Sequence, residues 1–220
     1  MFPIIEQFLS VDGEGPTAGR LAAFVRFQGC NLRCSWCDTT YSFEQENVTA
    51  YRTAEEIYKI IKESGASCVT LTGGEPLLQP EIGSLLKILN EDDSLLTHIE
   101  TNGSVDITPF AEEFPNLCFI VDYKLEGSNM TAQMNENNLT AVRPVDTYKF
   151  VVSSLGDLQQ ATDVIRKNHL CERTQVFFSP VLGKIEPAEI VEFMKTERLD
   201  KVRLQLQLHK IIWDPAQKGV

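Results

Sequence analysis

The chain has 220 residues, of which 43% are hydrophobic and 23% are charged, and its formal net charge is −11. This length and composition are typical of one globular domain, here residues 1–220, and so acidic a surface repels nucleic-acid phosphates without excluding a small anionic substrate. No apolar run approaches the ~18 residues of a membrane span, and the first residues lack a signal-peptide pattern, so we expect a cytoplasmic protein with no nucleic-acid or membrane partner.

Short apolar runs along the chain predict eight β-strands. Several runs are almost continuously hydrophobic, as expected for parallel strands that are covered on both faces. The predicted strands span residues 4–9, 21–27, 68–72, 96–100, 118–122, 148–152, 175–179 and 202–207.

Helical patterns lie between these strands. Thr53 and Glu56 form a capping-box pattern, further helices are predicted over residues 80–90 and 156–168, and Pro187 suits the first turn of a later helix. Strands that alternate with helices predict an α/β fold with a parallel sheet. Because a complete eight-unit barrel takes about 250 residues, the length favours a shortened or open partial barrel, with its chemistry at the carboxyl ends of the strands.

Three of the six cysteines, Cys30, Cys34 and Cys37, lie within eight positions directly after the second predicted strand. In a reducing compartment, clustered cysteines favour metal or redox chemistry over disulfides. This spacing lets one short loop place three thiolates around a 4Fe–4S cubane and leave one iron open. The alternative is a structural zinc site, which needs four ligands, whereas Cys68 and Cys118 lie singly in apolar strand sequences.

Two polar turns also follow predicted strands. In "VTLTGGEP" (residues 69–76), the two glycines allow close approach of the backbone to a ligand, and Glu75 offers an acceptor for an ammonium group. In "IETNGS" (residues 99–104), Glu100, Thr101 and Asn102 offer hydrogen-bonding groups for a ribose or a carboxylate. Taken singly, the first is more often an ordinary strand-to-helix turn and the second is equally an ordinary polar turn, but both fall with the cysteine loop on one predicted rim.

The pattern Cys30-x-x-x-Cys34-x-Trp36-Cys37 resembles the signature of radical S-adenosylmethionine (SAM) enzymes. This resemblance implies a partial barrel of that type, in which the three cysteines hold a 4Fe–4S cluster and SAM binds the open iron. The cluster then cleaves SAM to a 5′-deoxyadenosyl radical, which takes a hydrogen atom from the substrate. The SAM-binding residues that the resemblance implies are Trp36, Cys37, Asp38, Gly73, Gly74, Glu75, Thr101, Asn102, Asp122, Tyr123, Lys124, Ser179, Pro180, Val181 and Leu182.

The flanks of the cysteine loop narrow the resemblance. "SVDGEGPTAGRLAAFVRFQGCNLRCSWCDT" (residues 10–39) closely resembles the start of 7-carboxy-7-deazaguanine synthases, and the likeness continues through residues 72–76 and 100–103 to "LQLQLHKIIW". It implies ring contraction of 6-carboxy-5,6,7,8-tetrahydropterin to 7-carboxy-7-deazaguanine with loss of ammonia, on the pathway to queuosine and related 7-deazapurines. It also implies a Mg2+ requirement, a flavodoxin- or ferredoxin-like electron donor and a homodimer.

The same resemblance implies a substrate site. Thr39 matches the Mg2+ ligand of the family, and Arg26 can pair with a carboxylate through its planar fork. Asp12 stands where the family usually has Gln, and because a carboxylate cannot donate hydrogen bonds, contacts at this position should differ. The substrate-binding residues implied are Val11, Asp12, Gly13, Glu14, Arg26, Thr72 and Val220.

Two other functions remain open at this point. An activase that installs a glycyl radical on a partner enzyme would use the same cluster and SAM chemistry. A small polar substrate is favoured instead by the polar residues Asp12, Glu14, Arg26 and Thr39. A binding module that is merely stabilised by zinc or by a cluster would not cleave SAM at all.

Overall fold

The computed structural model describes residues 1–215 and 217–220 of the chain. The strands are β1 (Phe2–Val11), β2 (Leu21–Phe27), β3 (Ala50–Arg52), β4 (Cys68–Gly73), β5 (Leu96–Thr101), β6 (Cys118–Tyr123), β7 (Thr147–Val152), β8 (Gln175–Pro180) and β9 (Val202–Leu204). The helices are α1 (Ala54–Glu63), α2 (Ile82–Asn90), α3 (Thr108–Glu113), α4 (Asn138–Ala141), α5 (Leu155–Lys167), α6 (Pro187–Glu197) and α7 (His209–Ile212).

All described strands belong to one open sheet, in the order β3-β1-β2-β4-β5-β6-β7-β8-β9. From β2 to β9 each neighbouring pair is parallel, so the predicted open, partial barrel of parallel strands is confirmed there. The expectation of parallel strands is wrong at one edge, because β1 runs antiparallel to both β2 and β3. A short loop joins β1 to β2, and such a connection makes an antiparallel pair, since parallel neighbours need a longer crossover.

The eight predicted strands are all present, although the last one ends early, at Leu204. The capping box at the start of α1 is confirmed: Thr53 Oγ1 accepts from Glu56 N at 3.3 Å, and Thr53 N donates to Glu56 Oε2 at 2.9 Å. Pro187 begins α6 as predicted. The elements that the sequence does not predict, β3, α3, α4 and α7, have between three and six residues, too few for a hydrophobic period to emerge.

The two faces of the sheet carry different residues. Phe119 on β6 and Phe150 on β7 are fully buried in the apolar core under the helices. The alternate residues of the same strands, Asp122 and Lys149, point to the other face, because successive strand side chains alternate. The inner face therefore carries polar groups along strands whose outer face is apolar.

Residues 12–20 connect β1 to β2 and lie across this inner face. Val11 pairs with Leu21, the first residue of β2, so the connection starts at the amino end of the parallel strands. It nevertheless reaches the far side of the sheet, where Gly15 N donates to Gln205 Oε1 at 2.6 Å. Gly15 has a φ of 72°, and an added Cβ there would lie 2.8 Å from Ile120 Cδ1, so both the turn and the packing favour glycine.

No helix of the described residues combines the length and the hydropathy that a membrane crossing requires.

Candidate active site

A cavity of about 510 Å3 opens on the inner face and at the carboxyl ends of the strands. Most of the residues predicted as site residues line it. These are Val11, Asp12, Gly13, Glu14, Arg26, Cys30, Cys34, Trp36, Cys37, Asp38, Thr39, Thr72, Gly73, Gly74, Thr101, Asn102, Asp122, Lys124, Val181 and Val220. The fold thus brings the segment at the start of the chain, the cysteine loop and the chain terminus to one space.

The cysteine loop presents three free thiols to this cavity, all of them half-buried. Burial raises the pKa of Cys34 to about 11 and also raises that of Cys37. The thiols of Cys34 and Cys37 are therefore protonated at neutral pH unless a metal takes the place of the protons, as iron does when it binds thiolate. Asn102 Nδ2 lies 3.5 Å from the sulfur of Cys30 and 3.0 Å from Asn31 Oδ1, which ties the loop to the end of β5.

The turn after β4 packs directly on the cysteine loop. Gly74 N donates to Phe27 O at 3.1 Å, and Glu75 N donates to Gly29 O at 2.8 Å. An added Cβ on Gly74 would overlap the carbonyl oxygen of Gly29 and lie 2.8 Å from the Cβ of Cys30. The turn needs glycine here because two backbones meet, a reason independent of any ligand.

Glu75 is fully buried and does not line the cavity. Its carboxylate accepts from the backbone N of Leu77 at 3.0 Å, from the backbone N of Asn102 at 2.6 Å, and from the hydroxyl of Thr101 at 2.9 Å. Burial raises its pKa to about 7 although these donors oppose the shift. The contacts of Glu75 thus join the turns after β4 and β5, and its binding of the SAM ammonium group stays a prediction.

Two buried polar atoms near the cysteine loop, Trp36 Nε1 and Asp122 Oδ1, have no hydrogen-bond partner among the described residues. Lys124 lies between them: its Nζ is 4.8 Å from the centroid of the Trp36 ring and 2.8 Å from Asp122 Oδ2. Because buried polar atoms are almost always hydrogen-bonded, this pair points to a polar ligand beside the indole.

Four other predicted SAM-binding residues lie away from the cavity. Tyr123 follows the strand alternation and packs between Tyr148 and Phe150. Ser179 and Pro180 are buried at the end of β8, and Leu182 is exposed to solvent. Their predicted contacts with SAM stay predictions, with no support from the arrangement of the cavity.

The floor of the cavity holds a buried ion network. Lys149 Nζ lies 2.8 Å from Glu100 Oε2, 3.0 Å from Glu14 Oε2 and 3.8 Å from Asp122 Oδ2. Gln205 and Gln207 also donate to the Glu14 carboxylate, at 3.0 and 2.6 Å. The predicted site residues include Glu14 and Asp122 but not Lys149, Glu100 and the two glutamines, although Glu100 is predicted as a hydrogen-bonding group.

A signal for the missed charges was present in the sequence. Lys149 interrupts the apolar run "YKFVV", and Glu100 ends the run before "TNGS". Charged residues are almost never fully buried unless they are paired, so a charge inside an apolar strand indicates a partner elsewhere in the chain. The sequence does not say which partner.

Asp12, which stands where the family usually has Gln, is engaged within the protein. Its Oδ2 accepts from the hydroxyl of Thr17 at 2.6 Å, and that hydroxyl lies 3.1 Å from Nδ1 of His98. All three residues are buried. The carboxylate thus anchors the β1–β2 connection to β5, which explains how an acceptor-only side chain is accommodated at this position.

Arg26 is held in place by a half-buried acid, Glu6. Its Nε donates to Glu6 Oε2 at 2.7 Å, and Tyr41 OH donates to the same oxygen at 2.9 Å. Lys218 Nζ lies 4.0 Å from the centroid of the Tyr41 ring, so the chain terminus covers this side of the cavity. An arginine held in this way is ordered before any ligand arrives.

Thr39 and Asp38 lie at the mouth of the cavity. The Thr39 hydroxyl donates to Asp38 Oδ1 at 2.9 Å, and Lys210 Nζ, in α7, lies 2.7 Å from Asp38 Oδ2. Leu208 N donates to Gly13 O at 3.1 Å, which brings α7 against the β1–β2 connection. Within the described residues, no three His, Cys, Asp or Glu side chains converge on a point that a single metal ion could occupy.

Comparison with known proteins agrees with this arrangement. The model of the radical SAM superfamily matches residues 24–196. A 7-carboxy-7-deazaguanine synthase from Clostridium acetobutylicum is 46% identical over 219 residues, covering 100% of this chain and 99% of that protein. Another, from Chlorobaculum tepidum, is 37% identical, covering 99% of this chain and 96% of that protein.

The chain belongs to the 7-carboxy-7-deazaguanine synthase family of radical SAM proteins. The resemblance drawn from residues 10–39 is thereby confirmed. The crystal structure of QueE from Escherichia coli has a TM-score of 0.73 and 23% identity, covering 94% of this chain and 93% of that chain. It supports the fold, an open and mostly parallel α/β sheet.

As a radical SAM protein, the chain uses a 4Fe–4S cluster and SAM. The residues present fit these groups. Three free thiols on one loop line the cavity, and the unpartnered Trp36 Nε1 and Asp122 Oδ1 lie on the same side of it. A structural zinc site, the alternative left open by the sequence, needs four side chains that converge on one ion, and no three do so among the described residues. A cubane does not need this, since each thiolate binds a different iron.

Proposed function

We propose that this chain catalyses the radical ring contraction of 6-carboxy-5,6,7,8-tetrahydropterin to 7-carboxy-7-deazaguanine, with release of ammonia, in the biosynthesis of queuosine and related 7-deazapurines. One observation carries the proposal. The cysteine loop and a buried floor of carboxylates and lysines line the same cavity, in a chain 46% identical to a 7-carboxy-7-deazaguanine synthase. A small polar substrate fits such a floor, because buried polar groups need hydrogen-bonding partners.

Cys30, Cys34 and Cys37 would hold the 4Fe–4S cluster. The bound cluster and SAM together supply a 5′-deoxyadenosyl radical for hydrogen abstraction, and the chain supplies position and shielding. Trp36 would lie against the adenine, and Asp122 Oδ1, which has no partner among the described residues, would accept a hydrogen bond from SAM. The other SAM contacts of the proposal come from the backbone at Gly73 and Gly74 and from Thr101, Asn102 and Lys124, all of which line the cavity.

The substrate would lie over the charged floor. Burial would raise the pKa of Glu14, but Lys149 and Gln207 outweigh it and hold that pKa below its ordinary value. Glu14 is therefore ionised and can accept hydrogen bonds from pterin N–H groups. Arg26, already oriented by Glu6, offers its remaining N–H groups to the substrate carboxylate. Thr72 and the backbone of Val11 to Gly13 complete this side of the cavity.

Mg2+ is also part of the proposal. Thr39 and Asp38 present a hydroxyl and a carboxylate at the cavity, and Mg2+ commonly keeps waters and takes substrate oxygens in addition to few protein ligands. The ammonium of Lys210 already neutralises Asp38, so we expect the ion to depend on the substrate carboxylate. Titration of Mg2+ against activity after chelation, with Thr39→Ala beside the wild type, tests this part.

Two partners complete the proposal, a flavodoxin- or ferredoxin-like electron donor and a second copy of the chain. Arg33 lies on the cysteine loop, with its guanidinium 4.1 Å from the centroid of the Phe43 ring, where an acidic donor could approach the cluster. Activity with flavodoxin, ferredoxin and dithionite as reductants tests the donor, and sedimentation of the reconstituted protein tests the dimer.

The deciding experiment is an anaerobic assay of the reconstituted protein with the carboxytetrahydropterin, SAM, Mg2+ and a reductant. We expect 7-carboxy-7-deazaguanine and ammonia in equal amounts. SAM cleavage without any deazaguanine would contradict the substrate assignment. Radical transfer to a co-purifying glycyl-radical enzyme would then favour the activase, which no contact in the cavity favours at present.

A further inference from the structure

The Lys149 ammonium lies at the centre of the cavity floor. The residue is 5% exposed, and its Nζ contacts Glu100 at 2.8 Å and Glu14 at 3.0 Å. These acids come from different parts of the chain, β5 and the β1–β2 connection, and no other cation contacts either carboxylate among the described residues. Lys149 is therefore the group that permits both acids to face one cavity.

The two acids differ in their other partners. Glu14 accepts from Gln207 through Oε1 and from Gln205 and Lys149 through Oε2, so three donors stabilise its charge. Glu100 accepts from Lys149 through Oε2 alone, and no described residue donates to its Oε1. When two carboxyl groups share one cation, the one that accepts more hydrogen bonds keeps its charge, and the other takes up a proton more easily.

The charge balance agrees with this division. Burial raises the pKa of Glu100 to about 7, and the negative charge of Glu14 adds to the shift. The pKa of Lys149 lies well above its ordinary value because, although burial opposes the charge, Glu100 and Glu14 stabilise it. Near neutral pH the floor thus holds one ionised acid, one acid that can be protonated, and one permanent cation.

We propose that Lys149 is a positioning residue of the substrate site, which keeps Glu14 as a charged hydrogen-bond acceptor and leaves Glu100 as a proton-bearing donor toward the bound pterin. This inference rests on the proposed function, since it assigns the contacts of that same substrate. A pterin ring carries N–H donors beside carbonyl and ring-nitrogen acceptors, so a floor with both an acceptor and a donor matches it, whereas two carboxylates would repel the acceptors.

Other titratable groups surround Glu14 and Glu100, and the partner or the charge state of each is defined. Lys124 neutralises Asp122 at 2.8 Å, Asp12 accepts from Thr17, and burial lowers the pKa of His209, which is neutral at pH 7. Burial raises the pKa of Cys118, which is a neutral thiol. The groups that face the pair are Asp12, Cys118, Asp122, Lys124 and His209. None of them replaces the cation that Lys149 supplies.

The test measures binding of 6-carboxypterin, an unreactive analogue, to the cluster-reconstituted protein without SAM between pH 5.5 and 8.5. We expect the wild-type affinity to fall as pH rises through about 7, where Glu100 loses its proton. In Lys149→Met the charge of Glu14 is no longer screened, so the midpoint should move up by about one pH unit or more. Lys149→Arg should keep the wild-type midpoint. The titration of the ligand itself is common to every variant.

Two further variants keep the result decisive. Lys149→Met with Glu100→Gln removes the excess acid and supplies a permanent donor, so it should fold, bind, and show no midpoint near 7 even if the single variant fails to fold. Lys62→Met removes an ion-paired lysine from the surface, where Nζ lies 2.8 Å from Asp92, and should leave the midpoint unchanged. An unchanged midpoint in folded Lys149→Met, or a midpoint near 7 in the double variant, would overturn the inference.

Turnover separates this inference from the proposed function. Wild-type protein that cleaves SAM but makes no deazaguanine contradicts the proposed function, whatever the binding curves show. Wild-type protein that turns over normally while its Lys149 variants keep the wild-type midpoint contradicts the positioning role alone. We also expect SAM cleavage without substrate to be unchanged in Lys62→Met, because this surface lysine does not line the cavity.

Discussion

The two halves of the cavity are built in different ways. The cofactor half consists of the cysteine loop (residues 29–39) and the turns after β4 and β5. Backbone hydrogen bonds, such as Glu75 N to Gly29 O at 2.8 Å, hold the first turn against the loop, and side chains of residues close in the chain to these turns, Glu75 and Asn102, join the second. The substrate half is the floor around Lys149, which is joined through side chains that are 135 residues apart for Glu14 and Lys149 and 193 residues apart for Glu14 and Gln207.

This difference has a physical cause. A cluster and SAM demand fixed positions for a few short loops, and short loops are specified by local motifs with glycines at backbone contacts. A pterin demands a matched set of donors and acceptors, and such a set can be assembled from any strands that face the same cavity. Substitutions in the cofactor half should therefore act mainly by displacing the loops, and substitutions in the substrate half by changing the balance of charge. The following predictions test this contrast.

The largest effect should come from the cofactor half. Cys34→Ala removes one of three thiol ligands, so we expect cluster iron to be lost and SAM cleavage to fall to the background. Iron and sulfide content, together with release of 5′-deoxyadenosine, measures both. Cys171→Ala is the matched control, because this half-buried thiol lies outside the cavity and should keep full cluster content. Normal SAM cleavage by Cys34→Ala would remove the loop from the proposed mechanism.

Gly74→Ala should destabilise the cofactor half through a steric clash alone. Its Cβ would overlap the carbonyl oxygen of Gly29, and a backbone neighbour cannot rotate away. Such overpacking costs about 1–3 kcal/mol, which corresponds to a fall in thermal midpoint of about 2–12 °C for a chain of this size.

The control for this variant is Gly156→Ala. Gly156 lies in α5, and its added Cβ would lie 3.5 Å from Ser154 Oγ, an ordinary contact. Alanine favours helix, so this control should be neutral or slightly stabilising. Equal thermal midpoints for the two variants would show that the turn can move away from the cysteine loop.

Glu75 should respond to pH because its carboxyl is buried between the two turns. Its folded pKa of about 7 lies above the ordinary value of 4.5, so its contribution to stability is complete below pH 4.5 and is lost as pH rises through 7. The full loss is about 3 kcal/mol at 1.36 kcal/mol per pKa unit.

Glu75→Gln has no such titration, but its amide places a donor where the carboxylate accepted a backbone N–H. We expect the variant to be less stable than the wild type at pH 5, with a gap in thermal midpoint that narrows toward pH 8. Midpoints measured at several pH values decide this, and a gap that widens with pH would show that Glu75 is ionised in the folded protein.

The smallest effect should lie at the mouth of the substrate half. Although burial opposes it, Lys210 lowers the pKa of Asp38 to about 2, so the pair stabilises the fold above pH 4 and loses its effect as pH falls toward 2. Because the Asp38 side chain is 54% exposed, solvent limits the contribution to about 1 kcal/mol or less. Lys210→Met should lower the thermal midpoint by about 4 °C or less at pH 7, with a gap that shrinks below pH 4.

Lys195→Met is the control for this pair. Lys195 and Glu192 are 2.7 Å apart on the exposed face of α6, and this surface ion pair should contribute almost nothing. A larger loss of stability in Lys195→Met than in Lys210→Met would mean that α7 is not held at the mouth by Asp38.

The sequence by itself determined the local features of this protein. The apolar runs predict eight of the strands, the Thr53 capping box predicts the start of α1, and the motif from Cys30 to Cys37 identifies the cluster loop and the family. Each depends on residues that are neighbours in the chain, so spacing and composition are sufficient to recognise them.

Only the tertiary structure decided which distant groups meet. It carried residues 12–20 across the inner face to Gln205 and placed Lys149 between Glu14 and Glu100. The reason is that a charge buried in an apolar strand must find a partner, but its sequence neighbours do not say which one. That choice is made when strands far apart in the chain come to face one cavity.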